Sequence, residues 1–277
     1  MQADETATSD LPPGLHVVAT PIGNRRDITL RALDVLGAAD RVLAEDTRRT
    51  GQLLAAHGLS ARLDSYHDHN AARMVPRVMD WLAAGETLAL VSDAGTPLVS
   101  DPGYKLVRAA REAGHPVHAV PGPSAAIAAL SVAGLPTDRF TFAGFLPPKR
   151  AARRTALRGL AGAPGTLVFY ETGPRLADAL ADMAEVLGER EACVARELTK
   201  TYEEVRRGTL SELVTDTPPK GEIVVLVSPG ELEAWSAERV DAALAERAGL
   251  SAKDASREVA ELSGWRRRDV YNRLQGR

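Results

Sequence analysis

The sequence predicts an α/β protein of two packed units followed by a small helical module. Three observations carry this expectation. The chain has 277 residues, roughly twice the length of an ordinary domain. From Leu15 onward, apolar runs of strand length alternate with stretches of helical period, the pattern of a mostly parallel sheet covered on both faces. After Pro229 the composition changes to short, polar, helix-period segments.

Taken in order, LHVVAT (15–20) leads into the helix-period ITLRALDVLGAA (28–39), RVLAE (41–45) into RTGQLLAAH (49–57), and TLALVS (87–92) into YKLVRAAREAG (104–114). VHAV (117–120) precedes the alanine-rich SAAIAALSVAG (124–134). Pro121-Gly122-Pro123 is the clearest break, so a first domain is placed at 14–122, behind a disordered lead-in at 1–13. The second domain, 123–232, restarts with FTFAGF (140–145), a polar helix near 149–160, TLVFY (166–170) and RLADALADMAEVLG (175–188). ACVAREL (192–198), EEVRRG (203–208) and EIVVLVS (222–228) then follow with little helix between them, which predicts a mixed sheet. Within the last module, 233–277, breakers or caps at Gly249, Ser251 and Gly264 divide residues 236–275 into three short helices.

Composition narrows the function. With 34 basic against 37 acidic residues the net charge is -3, so nucleic-acid binding has to come from local patches. One cysteine, Cys193, excludes a disulfide framework and a four-thiolate zinc site. No segment approaches the roughly 20 apolar residues that span a bilayer, and Met1–Asp10 has neither the basic residue nor the apolar run of a targeting signal. A cytoplasmic protein with no membrane partner is expected.

Chemistry concentrates at the ends of strands. Thr20-Pro-Ile-Gly-Asn-Arg-Arg-Asp27 leaves the first strand with Gly23 alone, so it is neither the three-glycine dinucleotide fingerprint nor a phosphate loop. It is either a ligand-binding loop at the sheet's carboxyl edge or a plain turn with Asp27 capping the next helix. Val91-Ser-Asp-Ala-Gly-Thr-Pro-Leu-Val-Ser-Asp-Pro-Gly103 sets Asp93 beside small Ala94 and Gly95, which suits close backbone approach to a ligand with hydroxyl or amino donors. The alternative is a long structural turn. Ala44-Glu-Asp-Thr-Arg-Arg-Thr50 carries carboxylates and guanidiniums that form either internal pairs or a grip on RNA phosphate. His67-Asp-His-Asn70 has two histidines but no third ligand at recognisable spacing, so no metal is expected. Basic clusters lie at 149–158 (Lys149, Arg150, Arg153, Arg154, Arg158) and 265–277 (including Arg266, Arg267, Arg268). Such runs are most often solvated faces, but two on an acidic chain favour local RNA contact.

ATPIGN…DIT (19–29), AEDTRRT (44–50), YHDHN (66–70), VSDAGTPLVSDPG (91–103), PGPSAAI (121–127), GFLP (144–147), FYET (169–172), ARELTKTYEE (195–204) and KGEIVVLV (220–227) occur in this order. Together they resemble the tetrapyrrole methylase superfamily, in its branch of ribosomal RNA cytidine 2′-O-ribose methyltransferases. The likeness runs from about residue 15 to the C-terminus. It implies two α/β domains of the tetrapyrrole methylase type, S-adenosylmethionine in the cleft between them, a homodimer, and a target cytidine in the decoding region of 16S ribosomal RNA within the small ribosomal subunit. Carried over by position, cofactor contacts come from Pro21, from Asp93, Ala94, Gly95, Thr96 and Val99, from Ser124 and Ala125, and from Tyr170, Leu198 and Gly221. Arg25-Arg26 depart from the apolar residue usual in the first loop. Gly173-Pro174 and Pro218-Pro219 depart likewise at the rim of the second domain.

A sulfonium is already a good leaving group, so methyl transfer depends chiefly on in-line placement, with a base helping the weakly nucleophilic ribose hydroxyl by about 10²–10⁴-fold. Asp46, His67, Glu197 and Lys200 are the candidates, Lys200 on the premise that desolvation leaves it neutral enough to accept a proton. Arg48, Arg49, Lys149, Arg150, Arg153, Arg154, Arg266, Arg267 and Arg268 are the expected RNA contacts. Two rivals remain: methylation of a tetrapyrrole carbon, and a ribosome-assembly factor that binds cofactor without transferring its methyl.

Overall fold

The computed structural model describes residues 11–230 and 235–276. Its strands are β1 (Gly14–Val18), β2 (Arg41–Ala44), β3 (Leu63–Ser65), β4 (Thr87–Val91), β5 (Val117–Val120), β6 (Phe140–Phe145), β7 (Thr166–Thr172), β8 (Glu191–Arg196), β9 (Glu204–Thr209) and β10 (Glu222–Val227). The helices are α1 (Leu30–Ala38), α2 (Thr47–Ala56), α3 (Ala71–Ala83), α4 (Tyr104–Glu112), α5 (Ala125–Ala133), α6 (Arg150–Leu160), α7 (Gly173–Leu187), α8 (Ala237–Glu246), α9 (Ala252–Ser263) and α10 (Arg267–Gln275).

The first sheet runs β3-β2-β4-β1-β5 with every pairing parallel. Its strands read as near-continuous apolar runs because both faces are covered. Leu15, Leu43, Leu88 and Leu90 pack under α3 and α4, while Val18, Val42, Ala89 and Val91 pack under α1 and α2. Parallel strands place all their carboxyl ends on one edge, where the loops after β1, β2, β4 and β5 converge. The second sheet runs β6-β7-β10-β8-β9. Only β6 and β7 are parallel, so this sheet is mixed. Alternate residues divide its strands: Leu167, Phe169, Val194 and Val225 face α6 and α7, and Val168, Cys193, Val224 and Leu226 face α5. Ile22, from the loop after β1, packs into this α5-side core. The two sheets are thereby joined by a side chain of the first loop.

Residues 58–86 hold the short β3 and the helix α3, neither of which the sequence pattern suggested. Pro76 inside α3 reads as a helix stop. The apolar face Met74, Val78 and Leu82 nevertheless recurs every four residues and is buried, and that burial offsets the hydrogen bond proline removes. In the helical module, Ser236 and Ser251 cap α8 and α9, and Val240, Leu244, Val259 and Val270 form a small separate core with Trp235 and Trp265 against it. Of the expected lead-in, residues 1–10 lie outside the described residues, whereas Leu11 packs on the first core and the Pro12 carbonyl meets His16 Nε2 at 2.9 Å. Among the described residues, no helix is long and apolar enough to cross a membrane.

Candidate functional site

The loops after β1 and β4 are cross-linked. Thr20 N–H donates to the Gly95 carbonyl at 2.8 Å and Gly95 N–H to the Thr20 carbonyl at 3.0 Å. Gly95 takes φ +79°, a conformation that favours glycine. Thr96 Oγ1 donates to the Pro123 carbonyl at 3.1 Å, which ties in the loop after β5 and Ser124, the N-cap residue of α5. These fixed loops form one wall of a cleft of about 350 Å³. The opposite wall comes from the second sheet: Phe145, Tyr170, Glu171 and Thr172, then Ala195, Glu197, Leu198 and Lys200, then Glu222, Ile223 and Val224. The ring of Tyr170 meets that of Phe145 edge-on at 5.6 Å, and burial pushes its hydroxyl above the ordinary value. A second hollow of about 220 Å³ adjoins the cleft, with Arg25, Arg49, Lys200, Pro21 and Gly23 in its lining. Ile22, Arg49, Asp93, Ala94, Lys200 and Glu222 line both.

Of the residues expected at a cofactor, Asp93, Ala94, Gly95, Thr96, Val99, Ser124, Ala125, Tyr170 and Leu198 line the cleft and Pro21 lines the adjoining hollow. Gly221 lies behind it: its φ is +100°, and a Cβ there would meet Glu197 Oε1 at 2.2 Å. Asp93 accepts from Asp46 N–H at 3.0 Å through Oδ1 and faces Arg49 at 3.2 Å through Oδ2.

The four candidate bases separate. Asp46 lies outside both hollows; it caps α2, accepting from Arg48 N–H at 2.9 Å and pairing with the Arg48 guanidinium at 2.8 Å. These bonds hold its carboxyl at about 2, too acidic to take up a hydroxyl proton efficiently. His67 is half-buried beside His69, outside both hollows. Glu197 and Lys200 do line the cleft. Lys200 Nζ donates to Glu197 Oε1 and Glu222 Oε2, each at 2.9 Å. Burial pulls the Lys200 ammonium down, but these two bonds outweigh it and leave the group above its ordinary value. It is therefore a fixed positive charge, which corrects the expectation of a neutral lysine. The same bond from Lys200 draws Glu197 below its ordinary value.

Two carboxyls that the sequence did not single out shift the other way. Burial, then the charge of Asp93, raises Glu45. Burial, reinforced by Glu45, Asp93 and Glu222 against a hydrogen bond to Ser92, pushes Asp101 up to about 6. Both line the cleft. Their only signal in the sequence is their position inside the motifs that carry Asp93 and Asp46.

The expected RNA contacts also divide. Arg48 and Arg49 are exposed, 86% and 66% of their side chains, and of the two Arg49 lines the hollows. Lys149 is exposed, but Arg150, Arg153 and Arg154 converge on Asp182, and Arg153 is 3% exposed with its Nε 2.7 Å from that carboxylate. Arg153 is thus an internal ion-pair partner and not an RNA contact. Arg266, Arg267 and Arg268 are exposed, while Arg273 forks onto Asp241 at 2.7 and 2.8 Å. Arg277 lies outside the described residues. Among the described residues, no three His, Cys, Asp or Glu side chains gather as a metal-binding group.

The chain is similar to known proteins. A family profile described as Tetrapyrrole (Corrin/Porphyrin) Methylases matches residues 14–214, and one described as the RsmI C-terminal HTH domain matches residues 233–277. A Mesorhizobium japonicum protein named ribosomal RNA small subunit methyltransferase I is 49% identical, covering 98% of this chain and 94% of that one. The Escherichia coli O157:H7 protein of the same name is 47% identical over 93% of each. Among solved structures, uroporphyrin-III C-methyl transferase from Thermus thermophilus, complexed with S-adenyl homocysteine, aligns with a TM-score of 0.54 at 21% identity, covering 79% of this chain and 97% of that one. At that identity the likeness speaks for the fold.

Proposed function

Because the chain belongs to the tetrapyrrole methylase family, we propose that it transfers a methyl group from S-adenosylmethionine to the ribose 2′-oxygen of a cytidine in the decoding region of 16S ribosomal RNA, within the small ribosomal subunit. It is an enzyme, a methyltransferase of ribosomal RNA, as its relatives are named. The observation that carries the fuller reading is the pair of adjoining hollows, one walled by aromatic rings and carboxylates and the other by Arg25, Arg49 and Lys200. The larger fits the cofactor: Phe145 and Tyr170 offer apolar faces, and carboxylates offer acceptors to ribose hydroxyls and an ammonium. Bound there, the cofactor supplies an electrophilic methyl group. The smaller hollow fits a nucleotide, since its guanidiniums can grip phosphate while the ribose faces the junction. Gly23 lets Lys200 pack against the first loop, as a Cβ there would lie 2.5 Å from Lys200 Cγ.

The rival tetrapyrrole reading has less support, because the relatives at 47–49% identity are named for ribosomal RNA, whereas the likeness to the uroporphyrin enzyme is 21% in sequence. A homodimer in the cytoplasm completes the proposal. The dimer is supported by apolar side chains that α5 leaves exposed, Ile127 at 53% and Val132 at 50%. The test is to incubate the protein and labelled S-adenosylmethionine with 30S subunits, naked 16S RNA or uroporphyrinogen, then digest the products to nucleosides. Label in a 2′-O-methylcytidine from subunits is the expected result. Label on a base, label in the tetrapyrrole, or none in RNA would overturn the reading.

A further inference from the structure

We propose that Asp101 is the catalytic base: its carboxylate takes the proton of the ribose hydroxyl as that oxygen attacks. The inference rests on the methyl-transfer reading above and adds to it the residue that handles the proton.

Asp101 lies in the loop between β4 and α4 and lines the larger hollow. Asp93 and Glu222, whose charges act on it, line both hollows, where methyl donor and incoming hydroxyl have to meet. The loop is held in an uncommon shape: Leu98 and Ser100 adopt φ of 74° and 65°, conformations that non-glycine residues avoid. Strain of this kind persists where surrounding packing imposes it, and here it aims the segment carrying Ser100 and Asp101 into the cleft.

The charges around Asp101 favour its taking a proton. Among the described residues, the cations lining the cleft are engaged elsewhere: Arg49 with Asp93, and Lys200 with Glu197 and Glu222. Among the same residues no ion pair reaches Asp101. It faces a hydrogen bond from Ser92, the carboxylates Glu45, Asp93 and Glu222, and the hydroxyl-bearing Tyr170. A carboxyl without a counter-ion among like charges gains by accepting a proton, and its value of about 6 is close to the working pH a general base needs. The other carboxyls are less suited. Asp93 and Glu197 are each held by two donors, Glu222 is paired with Lys200 and Glu171 with Arg175, Asp46 is outside, and Glu45 faces Arg49. Glu45 is the rival that the experiment has to separate.

In the step, the bond from the 2′-oxygen to the methyl carbon forms as the sulfur–methyl bond breaks. The electron pair stays on sulfur, giving the neutral thioether, and the hydroxyl proton passes to Asp101, which later releases it to water.

The experiment compares wild type, Asp101→Asn, Asp101→Glu and Glu45→Gln. Expected for Asp101→Asn is a fall of about 10²–10⁴-fold in single-turnover methyl transfer to 30S subunits. Cofactor affinity by calorimetry should stay within about threefold, so that the loss falls on the chemical step. The wild-type rate should decline below about pH 6 and that decline should vanish in Asp101→Asn, while Glu45→Gln keeps it and Asp101→Glu recovers part of the rate. Carbon-13 NMR of the cofactor-free protein should show one carboxyl titrating near 6 that is missing from Asp101→Asn. The proposal is overturned if Asp101→Asn transfers at the wild-type rate, keeps the acid decline, or loses only cofactor affinity. If wild type forms no 2′-O-methyl product, the functional reading falls and this proposal with it; if wild type forms it and Asp101→Asn matches it, only the proposal falls.

Discussion

The backbone N–H of Asn24 donates to Thr199 Oγ1 at 2.9 Å, joining two loops 175 residues apart in the chain. Thr199 is itself in a left-handed conformation at φ 67°, and Gly23 lies beneath it with no room for a side chain: a Cβ would come within 2.9 Å of the Leu198 carbonyl oxygen. This contact and the burial of Ile22 in the second core hold the two walls of the cleft together.

Gly23→Ala therefore pushes on backbone and not merely on a flexible side-chain end. Overpacking of this sort costs about 1–3 kcal/mol, and a displaced wall should weaken cofactor binding by about tenfold. Calorimetry on the purified variant checks it; an unchanged dissociation constant would show that the contact does not shape the cleft.

Gly95→Val tests the other loop. Space is available, since the nearest atom to an added Cβ would be Ile22 Cγ2 at 3.6 Å, so the effect has to come from the φ of +79°. A β-branched residue there should cost about 1–3 kcal/mol of local strain and loosen the bridge to Thr20. Cofactor affinity should drop by about tenfold or more while the fold survives, as read by calorimetry beside a thermal melt.

Most of the architecture is legible in the sequence because its signals are local. Strand-length apolar runs mark the strands except β3, which has only three residues, and the polar edge strand β9. The helix α3 is hidden by Pro76, since a proline signals a stop in one dimension whatever face its helix buries. The loop at 91–103 is legible from its small residues, yet that pattern points to Asp93 and not to Asp101. What distinguishes Asp101 is the convergence of Glu45, Asp93 and Glu222, which sit on three different segments. The run at 149–158 misleads for the same reason: the neutralising Asp182 stands 29 residues after Arg153.

That ion cluster gives a stability prediction with a defined pH dependence. Asp182 is 1% exposed and Arg153 3%. Removing the carboxylate in Asp182→Ala strands a buried guanidinium, at a cost of about 3–5 kcal/mol in urea unfolding, and adding Arg153→Met should restore much of it. Burial raises the Asp182 carboxyl, but hydrogen bonds from Arg154, Arg153 and Arg150 outweigh it and leave the group lowered. A lowered carboxyl contributes its stability above the unfolded value of about 3.9 and loses it as pH falls through the folded one. Wild type should therefore lose its advantage over the double variant below about pH 4; a constant difference across that range would refute the assignment.

The last prediction concerns the first turn of α10. Arg266 caps that helix, and Arg267 and Arg268 open it, all three exposed. A helix N-terminus carries partial positive charge, so three guanidiniums there repel it and do nothing for the helix itself. Their placement makes sense for a ligand that is itself anionic, because exposed amides and arginines then bind it together. Arg273, at the other end, is tied to Asp241 and belongs to the module's internal structure. The triple variant Arg266→Ala, Arg267→Ala, Arg268→Ala should thus keep its melting temperature and cofactor affinity but bind 30S subunits more weakly. Each phosphate that is no longer neutralised should flatten the slope of log affinity against log salt by about 0.7–0.9. Arg273→Ala should do the reverse, lowering the melting temperature with little change in that slope. A triple variant whose binding follows the wild-type salt dependence would show that this turn does not meet RNA.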